Sequence, residues 1–290
     1  MNDYKTVMQT YRDAVEEFLN GCFTDESLPQ RELLHAMRYS LMAGGKRIRP
    51  ILTLEFCRVC GGDWHKAVAF AGAMEMVHTY SLIHDDLPAM DNDDYRRGRL
   101  TNHKVFGEGM AVLAGDGLLT AAFDTAAHAD APAQMIVRIL GVMAESAGEK
   151  GMVGGQALDI SGDEVTLAED DVYTIHRLKT GALISAACRI GAIAGGATQE
   201  QLQAAGTYAE ALGIAFQIRD DMLDVLGDAE KMGKHTHMDE NKNTFVSLYG
   251  VGECSKLIEK ETDAAVKALS CFEDRKNLEQ IARVLALREF

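Results

Sequence analysis

Proline occurs only 4 times and tryptophan once in 290 residues. Alternating β-branched runs are absent, while Ala, Leu, Met, Glu and Gln are abundant. With so few chain breakers and no period-2 pattern, the sequence reads as all-α. Positive charge is also scarce: 29 Lys and Arg against 44 Asp and Glu leave a formal charge of −15, which argues against general nucleic-acid binding. No apolar run reaches the ~18 residues of a membrane span. The longest, after Gly181, is interrupted by Arg189. The N-terminus carries no charged-then-apolar leader, so a soluble cytoplasmic protein without stable membrane insertion is expected. Cys57 and Cys60 have the spacing of half a zinc or redox motif, but no second pair matches them. Buried free thiols are the expectation. No linker or low-complexity tract divides the chain, so residues 1–290 are expected to form a single domain.

Acidic residues, by contrast, are concentrated in two places. Asp85, Asp86 and Asp91 follow the apolar run Tyr80-Ser81-Leu82-Ile83, and Asp220, Asp221 and Asp224 follow Ile214-Ala215-Phe216. Desolvated carboxylates cost several kcal/mol or more unless matched by positive charge. A hard divalent cation suits such oxygen-rich clusters, and Mg²⁺ is typically held by a few carboxylates together with substrate phosphates. Asp220 and Asp224 lie about 40° apart on a helical wheel, with Asp221 adjacent. Pro88 biases Leu87 away from helix, so Asp91 is expected just past the helix end, turned back toward the same metal. The two clusters predict a Mg–diphosphate site between two facing helices.

The remaining chain supplies cations. An amphipathic helix over residues 3–20 and a second after Pro29 lead to Gly44-Gly45-Lys46-Arg47-Ile48-Arg49-Pro50, a basic cluster at a helix start where an anion is welcome. A long apolar helix over 64–86 carries His78, Ser81 and Asp85 on one stripe. Arg96 and Arg97 follow the first acidic cluster, as suits bidentate phosphate recognition. The helix near 108–128 is rich in small residues and suited to close packing, and another helix runs from Pro132 to about 148. Gly151 to Gly155 reads as a flexible turn, and Thr166-Leu167-Ala168-Glu169 as a capping box. Lys179-Thr180-Gly181 predicts a local helix break with an inward-pointing cation. Residues 199–226 form the second acidic helix. After a polar loop carrying Lys231, Lys234 and Lys242, the segments 244–250, 254–270 and 275–288 read as surface helices without chemistry. His235 and His237 lack a third ligand and read as solvated loop residues.

In order along the chain, Gly44-Gly45-Lys46-Arg47-Ile48-Arg49-Pro50, His84-Asp85-Asp86-Leu87-Pro88-Ala89-Met90-Asp91, Arg96-Arg97-Gly98, Gly154-Gly155-Gln156, Lys179-Thr180-Gly181 and Phe216-Gln217-Ile218-Arg219-Asp220-Asp221-Met222-Leu223-Asp224 resemble the motifs of trans-isoprenyl diphosphate synthases. The resemblance covers residues from about 30 to 250. It is strongest to the bacterial farnesyl diphosphate synthase subgroup, whose first acidic motif also carries two extra residues, here Pro88-Ala89. It implies the isoprenoid synthase fold, a large helical bundle around a central active-site cavity, usually as a homodimer. It also implies three Mg²⁺ ions, with Mn²⁺ as a substitute, held by Asp85, Asp86, Asp91, Asp220, Asp221 and Asp224 on an allylic diphosphate. Arg96, Lys179 and Lys234 would complete that clamp, with Lys242 a further candidate in a loop that departs from the family pattern. Lys46, Arg49, His78 and Arg97 would bind isopentenyl diphosphate, and Thr180 and Gln217 would lie near the developing cation.

The implied reaction is head-to-tail condensation of isopentenyl diphosphate with dimethylallyl and then geranyl diphosphate, giving farnesyl diphosphate. The resemblance makes Tyr80, five positions before Asp85, the floor of the product cavity. The wheel alone points instead to the small Ser81, because Tyr80 lies about 140° from Asp85. Geranylgeranyl diphosphate is the alternative product. A class I terpene cyclase or a non-catalytic metal-binding helical protein would leave the second acidic cluster or the arginines unexplained.

Overall fold

The computed structural model describes residues 2–162, 167–226 and 244–287. Helices α1 (Asn2–Asn20), α2 (Arg31–Leu41) and α3 (Ile48–Val59) lead through a 3-10 turn, Trp64–Ala67, into α4 (Val68–Asp85). After a two-stranded hairpin come α5 (Asn102–Phe106), α6 (Glu108–Ala127), α7 (Ala133–Ala147), α8 (Met152–Gly162) and α9 (Glu169–His176). A π turn, Arg177–Gly181, joins α9 to α10 (Ala182–Ala194), and α11 (Gln199–Leu226), α12 (Phe245–Ala268) and α13 (Lys276–Leu287) follow. Among the described residues the chain is therefore all-α apart from the hairpin, as its composition predicts.

α4 is the axis of the bundle. Eleven of its residues are buried, from Phe70 to Ile83. α6 packs along it, and its buried face carries Ala111, Ala114, Gly115 and Ala122, small residues that let the two backbones approach. By length and composition α6 alone among the described helices could cross a bilayer. Its apolar character serves this contact with α4 on one side, while Val112 and Leu113 face outward.

Arg47 fastens the N-terminal helices to α4. It has a left-handed backbone (φ +51°) and a buried side chain. Its guanidinium donates to Glu16 of α1 (2.7 Å), Glu75 of α4 (2.6 Å) and the Leu41 carbonyl ending α2 (2.8 Å). A second tie runs from Tyr11 Oη to Glu55 (2.8 Å), and Arg58 bridges Glu55 to Asp274 at 2.6 and 2.7 Å.

Three local expectations change. Gly151 to Gly155 is not a flexible turn, because α8 already begins at Met152. Gly154 and Gly155 are there for proximity: a Cβ at Gly155 would collide with the backbone of Leu178 and Lys179. The C-terminal segments are not merely surface helices. Residues 245–268 form one element kinked at Gly250 (φ +72°), and Phe245, Cys254 and Ile258 pack against Ile218 and Met222 of α11. α9 begins at Glu169, where the Asp171 carboxylate accepts from Ala168 N–H (3.3 Å); Thr166 lies outside the described residues. All six cysteines are free, with Cys57 buried and Cys60 half-buried.

Breaking a buried ion pair strands its partner. Arg47→Met is expected to lower stability by ~3–5 kcal/mol, because Glu75 keeps its buried charge without a counterion. Urea unfolding checks this, and a loss below ~1 kcal/mol would show that Arg47 does not fasten the bundle.

Candidate active site

A cavity of about 660 Å³ opens among α4, α8, α10, α11 and the hairpin. Asp85 and Asp220 both line it, from opposite helices, so the two acidic clusters meet across one space. Arg49, Arg96, Arg97 and Lys179 supply the positive wall, with His78 among them, and Tyr80, Met152, Val153, Ile160, Leu183 and Phe216 the apolar one.

The first cluster follows from the end of α4. Asp85 is its last residue and Asp86 its cap; the chain then folds back so that Asp91 N–H donates to the Asp85 carbonyl (2.9 Å). Asp91 is exposed and does not line the cavity. The Asp85 side chain makes no hydrogen bond to a described residue. Burial, with the Asp91 charge adding to it, raises its pKa to about 6 against the pull of Lys179. Asp86 instead turns away from the cavity and accepts from Arg96 Nε at 2.6 Å.

The hairpin aims the arginines. Tyr95–Arg96 pairs with Arg99–Leu100 around Arg97 (φ +54°) and Gly98 (φ +72°). Two consecutive positive φ values are the tight hairpin turn whose twist matches its strands. Arg97 thereby donates to the Gly44 carbonyl, and its guanidinium fills the space a Cβ at Gly45 would need. Arg49 also reaches the cavity. Its Nε is buried and hydrogen-bonds to no described atom, and burial lowers its pKa to about 10. Among these guanidiniums His78 is held neutral: burial first, then Arg49, Arg97 and Arg96, push its pKa well down. Lys46 is exposed at the turn before α3.

The predicted break at Lys179 is the π turn. It lies between two glycines of neighbouring helices, Gly155 of α8 and Gly213 of α11, where side chains would clash or crowd it. Lys179 reaches Asp159 of α8 at 2.6 Å, and Thr180 Oγ1 donates to Gln217 Oε1 at 2.9 Å. Gln217 Nε2 donates to Asp221 Oδ1 (2.8 Å), whose other oxygen accepts from Phe245 N–H (2.8 Å). A carboxylate only accepts, so Asp221 fixes which end of the Gln217 amide faces Thr180. Asp221 and Asp224 are buried and, unlike Asp220, do not line the cavity. Lys234, Lys242, His235 and His237 lie outside the described residues. Tyr80 and Ser81 both line the cavity, which wraps α4 through a wider arc than one wheel stripe.

Sequence reading passed over Asp159, Asp93, Glu75 and Phe245. Asp93 accepts from Arg96 (3.4 Å) three residues away. Glu75, Asp159 and Phe245 meet their partners Arg47, Lys179 and Asp221 only through the fold.

The carboxylates fit a hard divalent cation. Among the described residues no three acidic, His or Cys side chains already surround one point. Protein oxygens alone would therefore leave a metal under-coordinated, and phosphate oxygens and water would have to complete the shell, as Mg²⁺ prefers.

A family model described as polyprenyl synthetase matches residues 30–285. The chain is 44% identical over 274 residues to a farnesyl diphosphate synthase of Geobacillus stearothermophilus, covering 93% of this chain and 90% of that one. It is 42% identical over 280 residues to a geranylgeranyl diphosphate synthase of Cyanophora paradoxa, covering 93% and 91%. The solved geranyltransferase of Helicobacter pylori, complexed with magnesium and isoprenyl diphosphate, superposes with a TM-score of 0.86 at 31% identity, covering 96% of each chain.

A carboxyl whose folded pKa lies above its unfolded value stabilises the fold at low pH, and that contribution is lost as pH rises through about 6 for Asp85. Asp85→Asn is therefore expected to melt above the parent at about pH 8 and close to it at about pH 4. Mg²⁺ should raise the parent's melting temperature less as pH falls below about 6, where Asp85 carries a proton. Melting curves that are unchanged by the substitution at high pH would show that Asp85 is not held against desolvation.

Proposed function

Because the chain belongs to the polyprenyl synthetase family, we propose that it condenses isopentenyl diphosphate head-to-tail with dimethylallyl and geranyl diphosphate, releasing diphosphate and giving (2E,6E)-farnesyl diphosphate. The observation carrying this reading is the meeting of Asp85 and Asp220 across a cavity whose wall also holds Arg49, with its buried Nε, and Lys179.

Asp85, Asp91 and Asp220, with Asp86, Asp221 and Asp224 as further candidates, would hold up to three Mg²⁺ ions. When bound, these supply Lewis-acid stabilisation of charge growing on the leaving diphosphate. Arg96 and Lys179 orient the allylic diphosphate and stabilise its departing oxygens, with Lys234 and Lys242 assigned beside them. Arg49, Arg97, His78 and Lys46 hold isopentenyl diphosphate; neutral His78 donates one hydrogen bond without adding to the repulsion among the arginines. The allylic C–O bond breaks with its electron pair going to diphosphate. The isopentenyl double bond attacks the cation, and diphosphate takes the lost proton. Gln217, oriented by Asp221, accepts the Thr180 hydroxyl, so the Thr180 lone pairs remain to face the developing positive charge. The apolar wall excludes water from that cation.

Farnesyl length is assigned because Tyr80 lines the cavity ~7.5 Å along α4 from Asp85. Small Ser81 beside it keeps geranylgeranyl diphosphate as the second reading. We also propose a cytoplasmic homodimer of single-domain protomers, joined through the outward apolar residues Val112, Leu113 and Val137.

Incubation with Mg²⁺, isopentenyl diphosphate and dimethylallyl diphosphate, followed by hydrolysis and separation by chain length, is expected to give mainly the C15 alcohol. No Mg²⁺-dependent product would overturn the synthase reading, and mainly C20 would replace farnesyl by geranylgeranyl. Tyr80→Ala is expected to shift the product toward C20; an unchanged length would remove Tyr80 as the floor.

A further inference from the structure

Tyr80 does not stand alone on the cavity wall. His84, one helical turn further along α4, also lines the cavity. The two rings meet edge-to-face, with centroids 5.8 Å apart and planes at 79°. His84 is in turn fixed from outside: its Nε2 lies 3.0 Å from the Val112 carbonyl of α6. That carbonyl belongs to the α6 helical ladder and has a second lone pair to offer. The ring can lie there only because residue 115 is glycine. A Cβ at Gly115 would fall on the His84 imidazole, closest to Nε2. Gly115 has no left-handed backbone to explain it, since it lies within the regular helix α6 and is buried.

We propose that His84 and Gly115 set product length together: Gly115 makes a notch in α6, the notch seats the His84 ring, and the ring holds Tyr80 across the path of the growing chain. His84 is thus a positioning residue for chain-length control. This rests on the reading of Tyr80 as cavity floor. The proposal gives α6 a part in specificity although it adds no side chain to the cavity wall.

Three variants test it by product ratio, a readout that lost stability alone does not move. With the His84 ring gone, Tyr80 is free to turn aside. His84→Ala is expected to raise the ratio of next-longer to parent product about tenfold, the scale of losing one edge-to-face ring contact. Gly115→Ala drives the ring from its notch toward Tyr80, and the shorter, C10 fraction is expected to grow. The double variant has no ring to displace, so its ratio should equal that of His84→Ala, a non-additive outcome diagnostic of direct coupling. If His84→Ala does not fold, His84→Gln, which keeps a donor for Val112 but no ring, replaces it. A folded, active His84 variant with the parent ratio, or additive effects in the double variant, would overturn the proposal. Each ratio is read against the parent's own product, so a parent making mainly C20 overturns the farnesyl assignment alone, whereas an unchanged length in Tyr80→Ala removes the floor that His84 holds and overturns this inference with it.

Discussion

Charge kept from water is the constraint on which this structure depends. Asp85 on one side of the cavity and Arg49 on the other are displaced from their ordinary pKa values chiefly by burial. A fold carries such groups only if the surrounding scaffold is firmly satisfied. Arg47 is matched by Glu75 and Glu16, Lys179 by Asp159, and Arg96 by Asp86. The pairs tie α1 and the hairpin to α4, and α8 to the π turn. Lys179 and Arg96 line the cavity as well as holding these pairs, so the same side chains serve scaffold and cavity wall.

Preorganisation extends from the charges to the cavity wall at Thr180 and Gln217. The relay from Phe245 N–H through Asp221 and Gln217 to Thr180 has four members on three elements. Each bond restricts the next group to one orientation. Asp221 therefore contributes from behind the cavity wall, which explains how an acidic motif can contain residues of different duties at adjacent positions.

The sequence exposed the components of this arrangement more readily than their directions. Asp85 and Asp220 are recognisable because carboxylates close apolar helical runs, Arg49 because basic residues cluster at a helix start, Arg96 because an arginine doublet follows the first acidic cluster, and Lys179 because a lysine precedes Thr180-Gly181 within a helix; each of these patterns is local. The partnership of Asp221 with Phe245 spans 24 residues and depends on α12 docking on α11. Helical periodicity cannot report it, and the C-terminal helices consequently read as plain surface. Gly154 and Gly155 misled for a related reason. Glycine in sequence suggests freedom, but here it marks where another backbone comes near, and the neighbour appears only in the fold. The wheel favoured Ser81 over Tyr80 because it presumes a narrow contact stripe, whereas the cavity wraps α4 widely enough to touch both.

The π turn at Arg177–Gly181 has a consequence for how this chain can change its length. Such a turn amounts to one residue more than an α-helix needs. Deleting a residue there would restore regular hydrogen bonding and so improve the local helix. Because the surplus residue is taken up by widening that one turn, the helices on either side would keep the faces on which Val172, Ile175, Leu183 and Ile184 are buried. What the deletion would remove is the bulge itself, from which Lys179 reaches Asp159 and Thr180 reaches Gln217. The wide turn therefore matters for where it puts these two side chains, not for the packing of the helices it joins.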